Sequence, residues 1–152
     1  MSTHHFDSVM HIPKQVFVLV LVMLFSLFAG HAAAETGKPP DPEAAKRGQK
    51  LYSQYCESCH GTNGVGEPQI PASLRLPGYI SAPALDDSQH AWHHSDEALA
   101  RVTLEGSQRT QRMPAWKSVL SMQDALDIVA YMKSLWSARA LECQGPKHMS
   151  CM

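Results

Sequence analysis

Several features that would have narrowed the function of this 152-residue chain at once are missing. There is no charge excess, since 13 Lys and Arg stand against 14 Asp and Glu for a net charge of −1. A protein that grips a phosphate backbone needs a basic surface, so no nucleic-acid partner is expected. No sustained alternation of apolar and polar residues occurs and no internal repeat, which argues against sheets, barrels and solenoids. The one long apolar run, "VFVLVLVMLFSLFAG" from Val16 to Gly30, falls short of the about 20 residues that a spanning helix wants.

That run is closed by "HAAAE", and an apolar stretch of roughly 7–15 residues ending in small residues at A-x-A spacing reads as a secretory signal peptide. The expected signal is residues 1–34, cut after Ala34 and directing export to the periplasm. Retention of the segment as a membrane anchor facing the periplasm is the alternative. Loss of Lys14 and Asp7 with it leaves 12 basic and 13 acidic residues in about 118, one domain with a modest core. All four cysteines, Cys56, Cys59, Cys143 and Cys151, follow the cut and face an oxidising compartment.

After a flexible lead-in over 35–41, Asp41-Pro42 is a helix start, an N-cap acid followed by proline at the first helical position. A helix is expected from Pro42 to Cys59, with Gly61 as its stop. From Gly61 to His94 the chain is rich in Gly and Pro without a period, and so long a structureless segment normally serves a function or wraps something. Ser95 caps a second helix carrying Leu99, Val102 and Leu104 and ending at Gly106. Ser121 and Asp124 form a capping-box pattern that opens a last helix, with Leu126, Val129, Ala130, Lys133 and Trp136 on one face. The expected fold is all-α, about three main helices with long loops.

At the end of the first helix stands Cys56-Glu57-Ser58-Cys59-His60, and zinc, thiol exchange and covalent haem compete for it. Zinc would pair Cys56-x2-Cys59 with His90-x3-His94, but thirty residues separate the half-sites, against the usual 12–15 or so. A thioredoxin-like motif would follow a strand in a βαβ unit, and no β pattern exists. Haem uses every residue: positions i, i+3 and i+4 share a helix face, so two thiols can add to vinyl groups while the imidazole reaches iron. C-x-x-C-H is the haem c attachment signature.

An electron carrier needs a second axial ligand, and Met with His raises the iron potential. Beyond residue 34 the methionines are Met113, Met122, Met132, Met149 and Met152. Met122 and Met132 fall on the last helix, where methionine fills cores. Met113 lies in the loop "RMPAW", stiffened by Pro114.

Residues 42–136 resemble a class I (monohaem) c-type cytochrome domain, in the order "CESCHG", "APAL", helix, "MPAW" and a final helix with "AYMKSLW". The resemblance implies a small cytochrome c fold wrapped around one covalent haem c. It implies haem attachment at Cys56 and Cys59, iron ligation by His60 and Met113, and Pro83 accepting a hydrogen bond from the proximal imidazole. Tyr131 and Trp136 would then pack the last helix on the first, around Tyr52 and Tyr55. The domain is set at 42–137, followed by a Cys-containing C-terminal extension, 138–152.

Three features stand outside that pattern. His90, His93 and His94 in "HAWHH" read as a solvated loop, or as a haem-propionate partner or distal ligand. Cys143 and Cys151 enclose a loop short enough for a disulfide, although Cys143, His148, Met149, Cys151 and Met152 are also soft ligands suited to copper. Arg101, Arg109 and Arg112 could ring a haem edge for an acidic partner. The expected function is one-electron transfer between redox partner proteins, without substrate chemistry. The rivals are a haem enzyme or sensor with an open sixth position and a copper-handling accessory protein.

Overall fold

The structure, a computed structural model, describes residues 38–151, so the expected signal peptide 1–34 lies outside the described residues, as does Met152. The described residues contain helices and no strand: α1 Pro42–Tyr55, α2 Glu57–His60, α3 Asp96–Glu105, α4 Met122–Ser134, α5 Ala138–Glu142 and α6 His148–Cys151. None of these helices is long and apolar enough to cross a membrane.

Local chemistry sets the helix starts. Asp41 Oδ1 accepts from Ala44 N at 2.8 Å ahead of Pro42, and Ser95 Oγ accepts from Ala98 N at 3.2 Å. Ser121 and Asp124 complete a reciprocal capping box, Asp124 N to Ser121 Oγ at 3.1 Å and Ser121 N to Asp124 Oδ2 at 2.9 Å. Each cap satisfies amide donors that a helix cannot pair internally. The expected continuous helix to Cys59 is broken at Cys56, whose φ of −117° ends α1 and separates it from α2.

Helix α4 is the hub, packing against α1 on one side and α3 on another. Tyr52, Ile128, Tyr131, Met132 and Trp136 form the main core, with the Tyr52 and Tyr131 rings 5.0 Å apart. Tyr55 packs against the edge of this core, and its ring also meets Trp116 of the loop after α3 at 5.2 Å. Arg47 of α1 donates to both carboxylate oxygens of buried Asp127 in α4, at 2.6 and 2.9 Å. Of the expected face, Val129 and Lys133 of α4 and Trp136 just beyond it are buried, while Leu126 and Ala130 are only partly so. With the helix covered from two sides, Ala125, Ile128 and Met132 are buried as well. In α3 the buried residues are Asp96, Ala100 and Thr103, while Val102 is half exposed.

The segment before α3 has no regular structure beyond three 3₁₀ turns, yet it is ordered by its own backbone. Residues 61–67 and 82–86 run side by side, joined by Glu67 N to Ala82 O at 2.9 Å and Leu85 N to Gly64 O at 2.7 Å. Trp136 Nε1 donates to Leu85 O at 2.9 Å, hanging this pair of loops on the end of α4.

Candidate functional site

Cys56, Cys59 and His60 share one helical turn: Cys59 N and His60 N both donate to Cys56 O, at 3.1 and 2.9 Å. Both cysteines are free thiols, Cys56 buried and Cys59 partly exposed. Burial, and then the nearby Cys59, push the Cys56 thiol up to about 11. His60 is buried, with only 7% of its surface exposed. Its Nδ1 lies 2.9 Å from the Pro83 carbonyl oxygen. A carbonyl can only accept, so Nδ1 carries the proton and Nε2 keeps its lone pair. Burial lowers the ring below the ordinary histidine value, outweighing the Pro83 bond that raises it, so it is neutral near pH 7.

The two loops that bring Pro83 to His60 depend on Gly66. At φ +74° a Cβ there would stand 2.5 Å from Ala84 N and 2.8 Å from the Pro83 carbonyl carbon. A side chain would push the acceptor away from the imidazole. Gly66 N also donates to His60 O at 2.7 Å, and the Tyr52 hydroxyl to Gly61 O at 2.7 Å, pinning the turn after the histidine.

Met113 is half buried in the loop between α3 and α4, its carbonyl accepting from Ser107 N at 3.1 Å. Gly106 lets α3 end against this loop. Its φ is +78°, and a Cβ would meet Met113 O, Pro114 C and Ala115 N at 2.9 Å each. Next to Met113, Arg112 forks onto Glu67, with Nη2 to Oε1 at 2.6 Å and Nη1 to Oε2 at 2.8 Å. Nη1 also reaches Ile80 O at 2.8 Å, and the guanidinium lies over the Tyr79 ring at 4.5 Å. Glu67 Oε2 in turn accepts from Ala82 N at 2.8 Å and from the Tyr79 hydroxyl at 3.2 Å. The Arg112 hydrogen bonds, with Ala82 N next, hold the Glu67 carboxyl down at about 2. Arg101, Arg109 and Arg112 are all exposed, and Arg112 is in addition paired within the protein.

His90, His93 and His94 gather with a fourth imidazole, His148 of the C-terminal segment. His93 stacks on His148 at 4.6 Å, and His90 stands 5.8 Å from His94. The structure joins Cys143 to Cys151, Sγ to Sγ. Among the described residues no three His, Cys, Asp or Glu side chains converge as a metal site.

Residues 43–132 match the family model for cytochrome c oxidase, cbb3-type, subunit III. The chain belongs to this family. Among curated proteins, this cbb3-type cytochrome c domain is 32% identical over 92 residues to the cbb3-type cytochrome c oxidase subunit FixP of Bradyrhizobium sp. (strain ORS 278), covering 60% of this chain and 27% of that protein. It is 26% identical over 97 residues to FixP of Azorhizobium caulinodans, covering 64% and 29%. With the subunit CcoP of Azospirillum brasilense it shares 27% over 95 residues, covering 62% and 30%. The chain thus spans less than a third of the length of these relatives. No solved structure matches it.

The cofactor of such a domain is haem c, one covalently bound haem with its iron. The residues present fit it: two free thiols and a neutral imidazole on one turn, with the imidazole's remaining lone pair left for a metal by the Pro83 bond. Glu67, which no motif marks, is the residue at this site that the sequence does not announce. A lone acid in "GVGEPQ" carries no local signal, because its partners lie 12 to 45 positions away.

Proposed function

We infer that this cytochrome c domain is an exported one-electron carrier, with Cys56 and Cys59 anchoring the haem and His60 and Met113 ligating its iron. The observation that supports the reading most is the His60–Pro83 hydrogen bond on the turn that carries both thiols. When bound, the iron supplies the Fe(III)/Fe(II) couple. The chain contributes the rest: burial keeps His60 neutral, Pro83 fixes the plane of its ring and raises its basicity, and a thioether from Met113 favours the ferrous state. Residues 1–34 act as the export signal, or as an anchor if they are kept, and place the domain in the periplasm. Cys143 and Cys151 close as a disulfide there, which leaves the tail without thiols for copper. Protein partners hand electrons in and out; the relatives being named as oxidase subunits supports a cbb3-type oxidase as one of them.

The test is an absorption spectrum of the exported protein beside Met113→Ala. The parent should show sharp low-spin ferrous bands and a weak red-region sulfur–iron band in the ferric state, and the variant should lose the red band. A high-spin parent that binds carbon monoxide readily in the ferrous state would instead assign the protein to open-site haem chemistry.

A further inference from the structure

One carboxylate joins the sequence neighbour of Met113 to the sequence neighbour of Pro83, the residue that orients His60. Glu67 accepts from Arg112, adjacent to Met113, and from Ala82 N, adjacent to Pro83. Pro83 O is the acceptor for His60. Arg112 reaches past Glu67 to Ile80 O, three residues before Pro83. The loop before α4 and the loop that orients the histidine are therefore fastened to each other by one ion pair, 45 positions apart in sequence.

The fork matters as much as the charge. Two parallel N–H···O bonds fix the guanidinium edge-on to the carboxylate, and the Tyr79 ring lies 4.5 Å from the guanidinium carbon. A lysine would keep the charge and lose the fork. Without the pair, the Met113 end of the loop keeps the Ser107 N to Met113 O bond, the close approach of Gly106 and the stiffness of Pro114, but nothing that ties it to the Pro83 loop through Glu67.

We propose that Glu67 and Arg112 are positioning residues for the sixth iron position: their ion pair holds the Met113 loop against the Pro83 loop and keeps the thioether bound. The proposal rests on the reading that His60 and Met113 ligate the iron. Neither residue touches the iron; each acts through the backbone of its neighbour. Losing the pair frees Met113 to leave while His60 and the thioethers stay in place.

The experiment compares holo-proteins carrying Arg112→Met, Arg112→Lys and Glu67→Gln with the parent and with Met113→Ala. Readouts are the ferric red band, the reduction potential, and the rate of ferrous carbon monoxide binding. In Arg112→Met and Glu67→Gln the red band should weaken, the potential should fall, and carbon monoxide should bind roughly tenfold faster or more, because bonds to charged groups are individually of that order. Arg112→Lys should recover part of each change. Helical circular dichroism should match the parent, which separates positioning from general loosening. A parental band and parental carbon monoxide rate in both Arg112→Met and Glu67→Gln would overturn the proposal alone, provided Met113→Ala loses the band. A parent without the band, or a Met113→Ala variant that keeps it, would overturn the ligation reading and this proposal with it.

Discussion

Glu67 accepts hydrogen bonds from Ala82 N, the Tyr79 hydroxyl and both Nη atoms of Arg112, and this concentration of donors makes its ionised form part of the fold. Its folded value of about 2 lies below the ordinary 4.5. The pair's stabilisation is therefore fully present above pH 4.5 and is lost as pH falls from there towards 2. In an acid titration followed by helical circular dichroism, the parent should lose stability relative to Glu67→Gln across that window. Parallel curves for the two proteins between pH 5 and 2 would contradict the assignment. Because the pair is partly exposed, added salt should shrink the difference. At this scale legibility was uneven. The cysteines, the histidine and Pro83 could be picked out because a short motif or loop pattern carries them. Glu67 could not, because its role is decided by Arg112, which only the folded loops bring within reach.

Among the elements, helix starts were readable and helix coverage was not. Capping is a matter of three or four consecutive residues, so Asp41, Ser95 and Ser121 announce themselves. What covers a helix depends on its neighbours. Lys133, placed on the apolar face of the last helix by its spacing, is indeed buried, and it is there as a charge. Its Nζ meets the Asp96 carboxylate at 2.8 and 3.1 Å, with both side chains about 4% exposed. The pair locks α4 to the first turn of α3. Removing one partner leaves the other charge out of water, which costs about 3–5 kcal/mol, whereas removing both can be nearly neutral. Lys133→Met should therefore lower the thermal midpoint sharply, and adding Asp96→Asn should restore part of it. A single variant as stable as the parent would refute this account of the α3–α4 junction.

For the molecule as a whole, helical content and the absence of periodicity in residues 61–94 were plain, but the way that segment pairs with itself was not. Residues 61–67 and 82–86 are joined chiefly through backbone atoms, which any sequence possesses, so no side-chain pattern reports it. In the C-terminal segment the spacing of Cys143 and Cys151 was legible, but the seating of the segment was not. Its anchor is Gln144, fully buried and donating to His94 O at 3.1 Å and to Asp96. A glutamine among polar residues gives no sign of burial until its partners are in place. The seating of Cys56 has a consequence for the order in which this protein is made. The thiolate is the attacking form of a cysteine, and with Cys56 only 8% exposed and its thiol up at about 11, only on the order of one molecule in ten thousand carries it at neutral pH. With Cys56 as the attachment site proposed above, a chain that closed early would hide the sulfur it has to offer, which puts attachment before α1 settles onto α4. In the cofactor-free protein at neutral pH an alkylating reagent should modify Cys59 well ahead of Cys56, and urea should erase the gap. Equal rates without urea would mean that Cys56 can be reached late, and that assembly need not outrun folding.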